Sequence, residues 1–500
     1  MAQTEADLRH SYDSETRKRD WCKMGEARRR GTREDRARDA IRRNKADFAR
    51  SMGLMDAPGR VLLQAGLKPF LDSMSPSEWA DRRAAIVDSL KEHPAVTSLS
   101  ESLPVRVQND EMGWYLFLCQ QAIEDPLCTE INQAQRALPF FAGLGARWPH
   151  AHRVTGLDRK IKALLKDYRK EPDGLLFEIL VALSYAASGW DVTFIEEGDA
   201  KSADMRVARA DQEFFVECKR MSRRTEYSKH EQQEFLRLWD AGKALLVKNG
   251  QWIWFKGTFH VDPAELQDDF LHRLWTAALP ISAGEHVLLD NSKATIHARL
   301  IDRGAVHRHM KEYFVKGNSP MLTHIIGGDW APDNAPVTLL HAVKTSHVAG
   351  CEAPVLATYI DEVGFACGFT RDFDSEASIN KRAKDVIKLL SDAVKQVPAD
   401  KPSIIHIAAE TMEGAATERR RSQKIQRSIP AFITDKPVVA IRFHRLQAHR
   451  RTNLLYEMDE TVDYFQTDAV DLSHLPTLAV VVADAPVVPT SHWELYPDGQ

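Results

Sequence analysis

Glu178, Asp204, Glu217 and Lys219 are the residues of this chain whose types and spacing suit chemistry at a hydrated divalent cation. In the stretch FFVECKR, alternation along an extended strand puts Phe215, Glu217 and Lys219 on one side and Val216 and Cys218 on the other. A carboxylate and an ammonium group thus project side by side. Asp204 precedes them at hairpin spacing, where a turn with an even loop count faces it directly with Glu217 and a bulge or another register shifts it. Mg²⁺ prefers carboxylate oxygens, keeps several waters, and usually takes one or two acidic side chains from a protein. Asp204 and Glu217 fit that need, and the peptide carbonyl of Cys218, lying between the two charged residues, offers a further oxygen. Lys219 then sits beside the metal-bound water, favouring its deprotonated form and offsetting negative charge in the transition state of phosphoryl transfer.

The fourth residue is placed by a helix. LLFEILVALSYAASGW, residues 175 to 190, holds one charged side chain, Glu178, in a run that otherwise reads as core. A buried ionised carboxylate costs several kcal/mol unless something nearby pairs it, an order of magnitude that calls for a partner. A site shared with Asp204 and Glu217, reached directly or through a water, supplies one.

The elements that must hold these groups follow from the surrounding pattern. From Glu171 the chain reads as a helix begun by Asp173 and stopped by Gly189, then a strand WDVTFI, a polar loop, and two strands, ADMRVAR and EFFVECKR, joined by a turn at Ala210 to Gln212. The order is α-β-β-β. Upstream, the first 165 residues read as helical, with a capping box at Ser75, Pro76 and Glu78 and a second helix over DEMGWYLFLCQQAIEDP. Downstream come a polar helix (228–250), an aromatic strand QWIWFKGTF, and short candidate strands EHVLLD, ATIHARLI, MLTHIIG, APVLATYI and GFACGF. An amphipathic helix is expected over 378–397, then the buried strand SIIHIAAE, and two further strands in KPVVAIRFHRL and LPTLAVVVAD.

Glu178 in LLFEILVA, Asp204 in KSADMRV, and Glu217 with Lys219 in FFVECKR, in helix-strand-strand-strand order, resemble the PD-(D/E)xK, or restriction-endonuclease-like, nuclease superfamily. The match covers residues 171 to 225, and Ala203 stands where the family often has proline. The resemblance implies an α/β fold with an α-β-β-β-α-β core, Asp204 and Glu217 as metal ligands, Lys219 as the catalytic lysine and Glu178 as the accessory acid. It implies a Mg²⁺- or Mn²⁺-dependent endonuclease acting on DNA, or on RNA, in defence, restriction or repair. Two segments compete to supply the last helix and strand: residues 228–250 with WIWF, or 378–397 with SIIHIAAE, the second having the better packing face. Gln232 and Gln396 are the rival polar residues on those helices.

The expected organisation is a basic helical arm (1–50), a helical N-terminal domain (51–165), a discontinuous nuclease-like core (166–225 and about 371–450), a strand-rich insertion (226–370) and a C-terminal strand and tail (451–500). Other readings are a nuclease-like binding module without cleavage, and an ordinary hairpin with an incidental ion pair.

Net charge is −4, so the chain as a whole exerts no strong pull on nucleic acid, and local clusters matter more. Arg220, Arg223 and Arg224 lie just past the active strand and are the expected phosphate contacts, with the N-terminal arm and the 419–427 cluster as further candidates. The six cysteines (22, 119, 128, 218, 351 and 367) form no CxxC or CxxH pair, which argues against a zinc ribbon or a dithiol motif. His341, His347, Cys351 and Glu352 match no zinc spacing and read as loop or core residues, and VHRHM (306–310) reads as exposed histidines on a strand. Trp252 and Trp254 read as core packing. No signal peptide, membrane-length apolar run, phosphate-binding loop or Gly-x-Ser-x-Gly elbow is present. The expected setting is a reducing cytoplasm, and double-strand cutting by one such site would suggest a two-fold homodimer.

Overall fold

SIIHIAAE has no solvent-facing side chain: every residue from Ser403 to Glu410 is buried, the signature of a strand covered on both faces. The computed structural model describes residues 57–91, 100–101, 107, 109–196, 202–317, 319–328, 336–348, 351–449, 457–466 and 479–481. Leu54–Lys311 and Val315–Gln500 form one compact unit, which holds both sheets of the protein. The basic arm of residues 1–50 lies outside the described residues.

Among the described residues the helices are α1 (Ala57–Asp72), α2 (Pro76–Lys91), α3 (Glu111–Glu124), α4 (Ile131–Arg147), α5 (Leu157–Lys166), α6 (Asp173–Ala187), α7 (Glu226–Asn249), α8 (Phe270–Ala278), α9 (Arg303–Glu312), α10 (Pro320–Ile325), α11 (Glu376–Arg382), α12 (Ile387–Gln396) and α13 (Ala415–Ser428). The strands are β1 (Ser100–Glu101), β2 (Val154–Thr155), β3 (Asp191–Phe194), β4 (Met205–Arg209), β5 (Gln212–Arg220), β6 (Ile253–Phe259), β7 (Glu285–Asp290), β8 (Ala294–Leu300), β9 (Val337–His347), β10 (Thr358–Phe373), β11 (Ser403–Glu410), β12 (Val438–His449) and β13 (Glu457–Gln466). The fold is mixed α/β with two mixed sheets. No helix of the described residues is long and apolar enough to cross a membrane.

The site-bearing sheet has seven strands in the order β13-β12-β11-β5-β4-β3-β2. β11 runs parallel to both β5 and β12, while β4 is antiparallel to β5 and β3. One face packs on α3, α4 and α6 through side chains such as Phe117, Phe141, Phe177 and Leu180, which meet Phe214, Val216 and Ile404 in a single core. The other face carries α12 and α13, with Leu390, Ile425, Ile405, Ile407 and Phe443 in contact. Each such buried side chain contributes about 1.5–3 kcal/mol, so the two faces together fix the position of β5 firmly.

Of the two segments competing for the place beside β5, the distant one fills it. Ser403 to Ala408 of β11 pair with Phe215 to Arg220, and α12 packs on both strands. β6 belongs instead to a second sheet, ordered β1-β9-β10-β6-β8-β7, and α7 packs into its core. That sheet and α7 and α8 enclose their own core of Phe235, Trp239, Phe255, Phe259 and Trp275, in which Trp252 and Trp254 are also buried.

Several elements differ from the sequence reading. The single helix expected over 378–397 is two, α11 and α12. Arg382 is buried and donates to the carbonyls of Phe373 and Glu413, which requires the backbone to turn there. Asp385 then accepts the Ile387 N–H at 3.2 Å and restarts the helix. MLTHIIG is helical over α10 because Ser319 caps the Leu322 N–H and Pro320 sits in the first turn. VHRHM lies on α9 and not on a strand. APVLATYI opens with a 3₁₀ turn, Pro354–Ala357, before β10 begins. In LPTLAVVVAD only Ala479–Val481 are described, and they are not a strand; the N–H groups of Val480 and Val481 go to the Glu460 carboxylate at 2.8 and 2.7 Å.

Candidate active site

The β4–β5 hairpin turns through Ala210 and Asp211, with Ala210 in the left-handed region at φ 53°. Its register runs from Arg209 opposite Gln212 to Met205 opposite Val216, so the next step faces Asp204 with Glu217. Asp204 stands just beyond β4, where its Oδ2 accepts the backbone N–H of Cys218 at 2.6 Å. Lys219 forms an ion pair with Glu217, its neighbour two residues back on the same side of β5.

Glu178 comes from α6, which is buried on nearly every side and carries it against the hairpin. Its carboxylate pairs with Lys160 of α5 at 2.8 Å, with both side chains largely enclosed. Sequence reasoning missed Lys160. The signal was available: Leu157, Ile161 and Leu164 mark the inner face of α5, and position 160 borders that stripe.

The electrostatics bind the three acids into one group. Burial pushes Glu178 up to about 7, with Asp204 adding to the rise and Lys160 opposing it. Burial and then the Glu217 charge push Asp204 up to about 7, against the Cys218 N–H and Lys219. Burial pushes Glu217 up to about 7, against Lys219 and with Glu178 adding to the rise. Burial works against the charge on Lys219, yet Glu217 and then Asp204 hold it above its ordinary value. Each acid feels another, so ionising one makes the next harder to ionise.

Glu217 is fully buried, and its Oε2 has no hydrogen-bond partner. An unmatched carboxylate oxygen inside a protein is costly, and a divalent cation answers both the missing partner and the crowding of negative charge. Among the described residues no group of three or more His, Cys, Asp or Glu side chains is arranged to hold a metal ion. The available set is therefore open: the carboxylates of Asp204 and Glu217, with water completing the shell, as Mg²⁺ accepts. The Cys218 thiol is raised well above its usual value by burial, so this residue's contribution is its backbone carbonyl.

The arginines past β5 are placed differently from the expectation. Arg220 is enclosed, paired with Glu410 of β11 and set over the Phe140 ring at 5.2 Å. Arg223 pairs with Asp173 at 2.9 Å and with Glu111. Arg136 of α4 joins the same network through Asp173 and Glu410. These guanidinium groups are held by carboxylates where β5 and β11 end side by side near α4 and α6. Arg224 donates to Gln232 at 2.6 Å, and Gln396 donates to the Asp392 carbonyl. In the 419–427 cluster Arg421 is buried against Glu418. In RFHRLQAHRR, Arg445 pairs with Asp463 at 2.5 Å and Arg442 stacks on Tyr464 at 4.1 Å. A surface cavity of about 640 Å³ beside the start of α5 is lined by Trp148, His152, Arg159 and Lys162 among others, and by none of the four site residues.

No family model, curated protein or solved structure matches this chain.

Proposed function

We propose that the chain is a metal-dependent nuclease with a restriction-endonuclease-like core, hydrolysing phosphodiester bonds of DNA. What supports the reading most is one observation: α6 and the β4–β5 hairpin bring together three carboxylates, Glu217 fully buried and Glu178 and Asp204 partly so, each raised to about 7, beside Lys219 on β5. A structural ion pair has no use for three acids in mutual opposition. The parallel placement of β11 beside β5, with α12 before it, agrees with the α-β-β-β-α-β order.

In this reading Asp204 and Glu217 hold a Mg²⁺ or Mn²⁺ ion, with the Cys218 carbonyl as an additional oxygen donor. The bound ion supplies Lewis acidity and a water activated near neutral pH. Lys219 Nζ orients that water and offsets charge building on the phosphoryl oxygens. Glu178 shares the electrostatics of the ligand set and would accept a hydrogen bond from the water shell, while Lys160 holds its carboxylate in place.

The test is incubation of the purified chain with double-stranded DNA, single-stranded DNA and RNA, with and without Mg²⁺ or Mn²⁺, alongside Lys219→Ala. Cleavage that needs the metal and vanishes in the variant is expected. Equal cleavage by Lys219→Ala removes the lysine from the mechanism. Metal-supported binding of nucleic acid with no cleavage by either protein favours a non-catalytic binding module.

A further inference from the structure

Cys128 and Cys351 are distant in sequence and adjacent in the fold. Cys128 closes a 3₁₀ turn, Pro126–Cys128, between α3 and α4. Cys351 lies just before the turn Pro354–Ala357 that leads into β10, and the two turns pack against each other. Each thiol is the neighbour that most perturbs the other.

The backbone on both sides of Cys128, and the residue that follows Cys351, are fastened across the contact. The carbonyl of Leu127 accepts the Tyr359 hydroxyl, and that of Thr129 accepts the Lys316 ammonium. Glu352 accepts from Gln121 at 3.1 Å and pairs with Arg83. Ala353 and Leu356 are buried in the same core as α3 and α4. These contacts fall within a few residues of the two sulfurs, so the thiols are held together and not brought together by chance fluctuation.

The two cysteines are chemically unequal. Cys128 is fully buried and its Sγ donates to Asp125 at 3.0 Å, whereas Cys351 is partly exposed. The neighbouring Cys128 holds the Cys351 thiol below its ordinary value, and the Lys316 ammonium adds to the effect. Cys351, burial and Asp125 all hold Cys128 up. A reachable thiol beside a shielded one is the arrangement of an attacking and a resolving cysteine.

We propose that Cys128 and Cys351 are a site of oxidative modification, joining as a reversible disulfide when the protein meets a hydroperoxide. The Cys351 thiolate attacks one peroxide oxygen; the O–O bond breaks, and the departing hydroxide takes a proton to leave as water, with Cys351 now a sulfenic acid. The Cys128 sulfur then attacks the Cys351 sulfur while losing its proton; the S–O bond breaks, and the hydroxide takes that proton to leave as a second water. Two thiols are oxidised by two electrons in total and one peroxide is reduced. The bond staples the loop between α3 and α4 to the entry of β10, locking the helical layer to the inserted sheet, and does not depend on the nuclease reading.

The experiment uses the full chain, treated with hydrogen peroxide, alkylated with iodoacetamide, digested without reductant and mapped by mass spectrometry. The expected product is the Cys128 peptide joined to the Cys351 peptide, two hydrogens lighter than their sum and released by dithiothreitol. In Cys351→Ser, whose position is partly exposed, that product is absent and Cys128 remains alkylatable after denaturation. Equal alkylation of both residues with and without peroxide overturns the proposal. So does peroxide-dependent joining of Cys351 to any cysteine other than Cys128 of the same chain.

Discussion

Asp204 accepts the Cys218 backbone N–H at 2.6 Å across the open end of a hairpin whose register sets it opposite Glu217. One hydrogen bond thus aims a carboxylate at another that is already fully buried. The two charges raise the cost of ionising the site, and Glu178 shares that cost.

Replacing one acid by its neutral isostere therefore stabilises the metal-free protein at alkaline pH. Glu217 has a folded value of about 7, above its ordinary 4.5. The folded state retains this proton to higher pH than the unfolded chain, so the stability it contributes is present below the ordinary value and lost as pH rises through about 7. Glu217→Gln is expected to be more stable than the wild type at pH ~8 by up to about 3 kcal/mol, and equal to it near pH ~4. Urea denaturation in chelator at both pH values measures this. A variant less stable at the alkaline value would mean that the ionised acid supports the fold.

On the proposed function, a divalent cation would remove the same penalty by binding the ionised acids. Saturating Mg²⁺ or Mn²⁺ is expected to raise the melting temperature of the wild type and not of Asp204→Ala, with a gain of about 2.7 kcal/mol at a hundred times the Kd. The shift grows as pH rises from ~5 to ~8, because ligand carboxylates must lose protons to bind. Equal metal-induced shifts for the two proteins across that range would remove the metal from the site.

The hairpin was legible because its chemistry is local: Asp204 and Glu217 are brought opposite by a two-residue turn and strand alternation alone. The choice of β11 as partner of β5 was legible in outline, since a strand with eight buried residues has no other place than between covered neighbours. Arg220 and Arg223 misled because a charge cluster in sequence carries no information about distant carboxylates; Glu410 and Asp173 reach them only when β5, β11 and α6 end together. The break between α11 and α12 was hidden for the same reason, being set by where the Arg382 guanidinium finds carbonyls. The pairing of Cys128 with Cys351 is likewise a product of tertiary packing and leaves no spacing to read.

The Arg136 network is expected to be structural. Arg136 is buried and bridges Asp173 and Glu410, so Arg136→Met leaves both acids enclosed with fewer cations. Breaking one partner out of a buried ionic cluster costs about 3–5 kcal/mol. The exposed pair Lys68–Asp72 supplies the comparison, where Lys68→Met should change stability by less than about 1 kcal/mol. Chemical denaturation of both variants distinguishes the cases, and equal small losses would show that Arg220 and Arg223 suffice without Arg136.

A chain of buried polar groups ties β11 to β13 and gives a second, opposite dependence on pH. The Tyr185 hydroxyl meets His406 Nε2, His406 Nδ1 meets His444 Nε2, and His444 Nδ1 meets Glu460 Oε1, each at 2.9 Å. Glu460 also accepts from Val480 and Val481, so it serves as acceptor and His444 Nδ1 donates to it. Burial, with His444 and Arg442 adding, holds His406 well below its ordinary 6.5. The unfolded chain takes up this proton as pH falls and the folded one does not, so stability is complete above pH ~6.5 and declines below it by about 1.4 kcal/mol per pH unit. In His406→Gln that decline is absent. The stability difference between wild type and variant, measured by urea denaturation from pH ~7 to ~5, is expected to shift against the wild type by this slope below ~6.5, while the carboxylate cluster, present in both proteins, cancels. A difference constant across the range would show that His406 takes up its proton inside the fold.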